Sequence, residues 1–424
     1  MKPTAPACDL VPALAAAPRR GGLAAAEAVS AVPLAPAARL IVFADDWGRH
    51  PSSCQHLVRR LLPRYPTLWV NTIGTRPMRL DRADLARAAR RLGQWLRPDR
   101  DARPAADRSL PQGLGVVSPW MYPGFRTGWQ RRLNAWAIER CLAPHLARSS
   151  GSAPRIALTT LPLTADLVGR LNVDRWVYYC VDDWAVWPGL DGQVMRQMER
   201  ELVERVDAAV AVSEVLQDHL AAIGRPASLL THGIDLDHWQ TPRSAPPAWW
   251  HNLARPIFLF WGLIDRRLDT AWCRSLAQAG GTLVLVGPQQ QPDPVLAQLP
   301  AVQMPGPVAY EMLPTLAAGA DVLVMPYADL PVTRAMQPLK LKEYLATGKP
   351  AVVRDLPAAR SWADAADLAD SADDFVRIAL ERADTGLPAS QARARTRLSS
   401  ESWAAKAQQL EAVLADLVDQ ERGD

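Results

Sequence analysis

"DVLVMPYADLPVTRAMQPLKLKEYLATGKPAVV", residues 321–353, carries the pattern on which the fold turns. It opens on an apolar, β-branched run, 321–327, and closes on a second, 350–353. Between them the spacing predicts a helix over 338–347, with Pro338 as its first residue and Gly348 as its stop. Strand, helix and strand in one short span read as a parallel βαβ unit. Leu341, Tyr344 and Leu345 make the apolar stripe of that helix, which leaves Lys340 and Glu343 as neighbours three residues apart. Three of the chain's five lysines, Lys340, Lys342 and Lys349, fall here. One reading is a surface ion pair, contributing a few tenths of a kcal/mol. The other uses the helix start, where unpaired N–H groups and an ammonium bind a diphosphate while a carboxylate accepts ribose hydroxyls.

The same alternation extends both ways. Upstream runs are "RLIVFA" (39–44), "TLWVNT" (67–72), "GVVSPW" (115–120), "RIALTT" (155–160), "RWVYYCV" (175–181), "AAVAVS" (208–213) and "ASLLTHG" (227–233). A proline-rich break, "TPRSAPPAWWHNLARP", precedes a second series: "PIFLFWG" (256–262), "TLVLVG" (282–287), "AVQMPG" (301–306) and the two runs already quoted. This is an α/β chain of two Rossmann-like domains facing a cleft, with ligands expected outside the carboxyl ends of the strands. The expected boundaries are a disordered Ala/Pro-rich leader, 1–36; a first domain, 37–240; a linker, 241–255; a second domain, 256–398; and a final helix, 399–424. In that helix Ser400 is the expected N-cap, and Trp403, Leu410 and Leu414 share a docking face.

Bulk properties narrow the function. At 424 residues, 49% hydrophobic and 22% charged, the composition is globular. The net charge of +4 is too mild to imply nucleic acid. It is uneven, with 30 Lys+Arg against 23 Asp+Glu in residues 1–240 and 18 against 21 in the remainder. Five scattered cysteines without a C-x-x-C pair fit a reducing cytoplasm. No apolar run approaches a membrane span. The Arg19-Arg20 pair precedes no convincing signal core.

The segment "GADVLVMPYADLPVTRAMQPLKLKEYLATGKPAVV" resembles the donor-binding segment of GT-B glycosyltransferases, and the resemblance is closest to the retaining group-one branch. "FLFWGLIDRRLD", "LVLVGP" and "MPGPVAYEMLP" follow the family's order. "HPSSCQHLVRRL" is similar to its early arm, and "LTHGIDLDHW" to its Asn-Gly-Val-Asp hinge with His232 for Asn. "SWAAKAQQLE" is similar to the helix that crosses back to the first domain. The likeness covers nearly all of 39–420. It implies a nucleotide-sugar donor, UDP- or GDP-linked, with no further cofactor and no metal. It also implies a glycan or polyprenyl-linked acceptor in bacterial surface polysaccharide synthesis. Glu343 would bind the donor ribose and Lys340 the diphosphate, with Arg267 (or Arg266) as second phosphate cation. Gly262 would let the phosphates approach, the backbone around Val308 would read the base, and Gln337 and Leu339 at the helix start complete the donor set. The family often has a Glu eight positions before the helix glutamate, and this chain has Ala335. Either Gln337 or main-chain groups of 333–336 serve instead, or the sugar is handled differently.

In the first domain "VDDW" places Asp182 and Asp183 at a strand's carboxyl end, for metal or acid/base work or as turn or helix caps. Asp45 and Asp46 repeat the pattern after the first run. His56 is a catalytic candidate, and His50 and Asp46 are acceptor candidates; each histidine could equally cap or pack. The D-x-D at Asp235 and Asp237 follows the hinge-like segment and is discounted as a metal mark. A basic amphipathic helix over 78–100, beside tryptophan-rich 118–136, suits an anionic bilayer or the protein's own sheet, and the tryptophans could also stack on a saccharide. The expected location is therefore cytoplasmic, with possible peripheral membrane contact. Two alternatives share the fold. One is a nucleotide-sugar 2-epimerase; the other is a non-catalytic partner subunit, motivated by Ala335.

Overall fold

The computed structural model describes residues 37–48, 52–71, 110–147, 153–242 and 244–423, with side chains to 419. The leader, His50 and the 78–100 segment lie outside the described residues.

Two parallel sheets form the scaffold. The first holds β1 (Arg39–Ala44), β2 (Thr67–Asn71), β3 (Leu114–Val117), β4 (Arg155–Thr159), β5 (Arg175–Cys180), β6 (Ala208–Ala211) and β7 (Ser228–Leu229), in the order β3-β2-β1-β4-β5-β6-β7. The second holds β8 (Ile257–Trp261), β9 (Thr282–Val286), β10 (Val302–Gly306), β11 (Val322–Met325), β12 (Ala351–Arg354) and β13 (Asp367–Ala369), in the order β10-β9-β8-β11-β12-β13. Strands β4, β8, β9 and β11 are buried along their whole length. Coverage on both faces is why they read as continuous apolar runs rather than alternating ones. Each sheet reverses its direction of growth beside its first strand. Two crevices result, at β1/β4 and at β8/β11.

Each sheet has its own core, and the C-terminal helix, Trp403–Gly423, joins the first. Its Trp403, Ala407, Leu410, Leu414, Leu417 and Val418 are buried with β1, β4 and β5 residues. It lies on the first helix, Ser53–Leu61, and Arg64 pairs with Glu411 beside that contact. The chain thus crosses back to the sheet it began with.

Three local expectations change. Pro338 is extended (ψ 115°) and is the N-cap, so the helix runs Leu339–Ala346. Ser402 rather than Ser400 caps the last helix: its Oγ accepts the Ala405 N–H at 3.1 Å, while the Ser400 hydroxyl donates to the Arg397 carbonyl. Inside the proline-rich break, Ala248–Asn252 forms a 3-10 turn that buries Trp250. A Cβ on Gly319 would stand 2.6 Å from the Trp250 indole nitrogen, so the turn seats against that glycine.

Candidate functional site

The carboxyl end of β8 is where the donor candidates meet. Gly262, the residue after the strand, has φ +136°, a conformation that side chains rarely adopt. A Cβ there would stand 2.8 Å from Lys340 Cε and 3.0 Å from Nζ. The bare glycine therefore leaves room for the lysine to cross the strand end. The Lys340 ammonium donates to the Tyr327 hydroxyl just past β11, and lies 5.4 Å from the Phe260 ring centroid. One cation is thus set over the β8/β11 crevice.

Glu343, one turn further, is held by a partner the sequence did not announce. Its Oε2 accepts the Trp261 indole N–H at 2.8 Å. Burial lifts its pKa to about 7, against the opposing pull of that hydrogen bond and of Lys340. No ion pair joins Lys340 to Glu343, so the surface-pair reading does not describe them. Trp261 stacks on Trp239 (centroids 5.1 Å, planes 9° apart) and meets Tyr344 edge-on at 4.3 Å. Tyr344 in turn donates to the Val324 carbonyl in β11. Beside this wall, Tyr310 stacks on His238 at 4.2 Å, and half-buried Val308 packs on the second core. Burial, then Glu343 and Asp235, push the Tyr310 phenol well up.

Arg267 is the buried cation of the adjacent loop. Its Nε lies 3.0 Å from both Asp265 oxygens, and its guanidinium sits 5.0 Å from the centroid of Trp187. Trp187 belongs to the loop after β5, in the first half of the chain. Asp182 opens the same loop. Burial raises its pKa to about 7, against the opposing field of Arg267, while neighbouring Asp183 adds to the rise. Asp182 and Arg267, from the two halves of the chain, thus lie close enough for each charge to act on the other. Asp183 does otherwise: its Oδ1 accepts the Ala185 N–H at 3.0 Å and closes a turn.

The remaining candidates separate from this constellation. His56 stacks on Trp403 (4.6 Å, 6°), and burial followed by Arg60 and Arg59 lowers its pKa to about 4. It packs the C-terminal helix onto the first helix. The Asp46 carbonyl accepts Gln55 Nε2 at 3.3 Å, and the Asp45 carboxylate accepts Ser52 Oγ at 3.1 Å and Gln55 Nε2 at 3.0 Å. This Asp45–Ser52–Gln55 knot orders the loop after β1, and neither Ser52 nor Gln55 stood out in the sequence. Asp235 is a helix cap, accepting the His238 N–H. Gln337 is buried and Leu339 packs on the first core. Ala335 is buried too, and its carbonyl accepts Ser213 Oγ at 2.6 Å from the first half. No group of three or more His, Cys, Asp or Glu suited to a metal occurs among the described residues.

Lys342 departs from its two neighbours. It is buried, and its ammonium donates to Thr231 Oγ1 (3.2 Å), the His232 carbonyl and Glu401. It ties the helix Leu339–Ala346 to Thr231 and His232 and to Glu401, just before the last helix. Sequence spacing alone had grouped it with Lys340.

Residues 264–379 match the family described as "Glycosyl transferases group 1". The putative teichuronic acid biosynthesis glycosyltransferase TuaH of Bacillus subtilis is 27% identical over 237 residues, 51% of this chain. The match spans 60% of that relative's length. Sucrose-phosphate synthase of Thermosynechococcus elongatus superposes with a TM-score of 0.65 at 14% identity, covering 90% of this chain and all of that one. Anabaena Alr3699/HepE, solved with UDP-glucose, gives 0.61 at 13% identity over 89% and 99% of the two chains. A segment that matches the group 1 glycosyltransferases is thus seated on a GT-B fold, and about half of the chain is similar to TuaH.

Proposed function

We infer that the chain moves a sugar from a nucleoside diphosphate donor to a glycan or lipid-linked acceptor in bacterial surface polysaccharide synthesis. The observation that supports this best is the joint placement of Lys340 over Gly262 and Glu343 on Trp261 at the end of β8. An ammonium and a glycine-lined backbone suit a diphosphate, and an oriented carboxylate suits vicinal ribose hydroxyls. In this reading the backbone by Val308 would read the base, and Arg267 would supply the second charge for the departing diphosphate. TuaH's association with teichuronic acid and the UDP-glucose bound by HepE favour a surface polysaccharide and a UDP-sugar.

Asp182, whose pKa of about 7 allows it to exchange a proton near neutrality, lies within the field of Arg267, the second phosphate cation in this reading. In this reading it would meet the acceptor hydroxyl. Transfer with retention and without metal follows from the family resemblance and stands as part of the same proposal, as does action on the cytoplasmic side of the membrane. The second reading, a non-catalytic partner subunit, draws on Ala335: a methyl group, turned into the first core, stands where the family often carries a carboxylate.

Calorimetric titration with UDP and with GDP, beside Glu343→Ala, is the test. One nucleotide is expected to bind, with the variant weakened about tenfold or more. Binding of neither would leave the donor site without a ligand. Binding without transfer or donor hydrolysis would favour the partner subunit.

A further inference from the structure

We propose that the outer face of the helix Gly128–Leu142 is a docking surface for an anionic lipid bilayer. This helix is apolar on two opposite sides. Its inner side is buried through Asn134, Ala135, Ala137, Ile138 and Leu142. Its outer side carries Trp129, Arg132, Leu133, Trp136 and Arg140, which fall within a stripe of about 100° at 3.6 residues per turn. Trp129 and Trp136 are 54% and 53% exposed, and Trp120, shortly before the helix, is 42% exposed. A single exposed tryptophan needs no explanation, whereas two on one stripe with a third close by in sequence do.

The surface is also rigid. Asn134 fastens the preceding loop to the helix, accepting the Tyr122 N–H at 2.6 Å and donating to the Tyr122 and Gly124 carbonyls, both at 3.0 Å. Tyr122 then rests against Trp129 with ring centroids 5.1 Å apart.

Charge selects the occupant. Arg126 is engaged by Asp191, and Arg131 by Asp166 and Glu201. Arg132 and Arg140 enter no ion pair among the described residues, and Arg140 instead sits 5.9 Å over the Trp136 ring. Glu139, at the margin of the stripe, is neutralised by Arg170. The stripe itself holds no carboxylate. Indoles that sit at headgroup depth, flanked by free guanidinium groups, match the interface of a bilayer bearing negative lipids. The proposal does not depend on the donor-site reading; if both hold, the acceptor is presented from lipid.

The test is co-sedimentation of the full chain with vesicles of phosphatidylcholine alone and of phosphatidylcholine mixed with phosphatidylglycerol. Binding is expected to the mixed vesicles and to weaken with added salt. Trp129→Ala/Trp136→Ala and Arg132→Glu/Arg140→Glu should each weaken it by about tenfold or more. Unchanged far-UV circular dichroism and unchanged UDP titration would show that folding and the donor site are untouched. Absence of binding, equal binding to neutral vesicles, or equal binding by both variants would overturn the proposal. So would self-association of the parent chain that the tryptophan variant abolishes, which would assign the face to a second copy.

Discussion

Glu343 shows how one side chain can be set at odds with its surroundings. A carboxyl raised to about 7 in the folded chain, from 4.5 in the open one, binds its proton more tightly when folded. Its contribution to stability is therefore full below about pH 4.5 and is lost as pH rises through 7. Glu343→Gln keeps an oxygen for the Trp261 N–H but does not titrate. The variant should melt above the parent at pH 8, by about 1–2 kcal/mol after allowance for partial exposure, and match it near pH 4.5. Thermal scans at the two values decide; an advantage independent of pH would mean the carboxyl is not held up by burial. The charge thus opposes folding at neutral pH, as expected where a side chain is arranged for a ligand. Among single residues, the meeting of Lys340, Glu343 and Gly262 at the end of β8 was legible because each stands at a fixed offset in a familiar segment, and their role remains the proposal made above. The Trp261 and Trp187 contacts were not legible, since they join residues far apart in the chain and depend on how two strand ends approach.

At the scale of elements, most strands were read within about two residues because both-face burial writes them as unbroken β-branched runs, while the less buried β3 and β7 end three and four residues before the runs that announced them. Strand β13 was missed: Asp367–Ala369 is three residues long and has no β-branched member. The helix at 338–347 was placed within one residue at each end, and its second lysine was given no role. Lys342 shares a helix with Lys340, but a helix turns 100° per residue, and two positions on, a side chain faces nearly the opposite way. That turn carries Lys342 to Thr231, His232 and Glu401. Lys342→Ala should lower stability by about 2–4 kcal/mol, because it strands buried acceptors. Lys342→Met strands the same acceptors and should recover only the packing part of that loss, about 1 kcal/mol, since the stem still packs. Urea denaturation of the two variants separates these outcomes. Both lying within about 0.5 kcal/mol of the parent would remove Lys342 from the structural account of the hinge.

Across the whole molecule, two cores are joined by a chain that leaves the first, builds the second and returns. The return rests on Leu410 and Leu414, both fully buried. Leu410→Ala with Leu414→Ala should destabilise the first sheet by about 4–8 kcal/mol. Hydrogen exchange should then speed up in β1, β4 and β5 and remain slow in β8, β9 and β11. Equal loss in both sheets would mean that the two cores unfold as one. The returning helix also bears on how the protein is made. During translation the first sheet emerges early, with an open apolar trough where Trp403 to Val418 belong, and the whole second core is synthesised before anything can fill it. The half begun first is thus completed last, and through most of its synthesis the nascent chain presents that trough to chaperones.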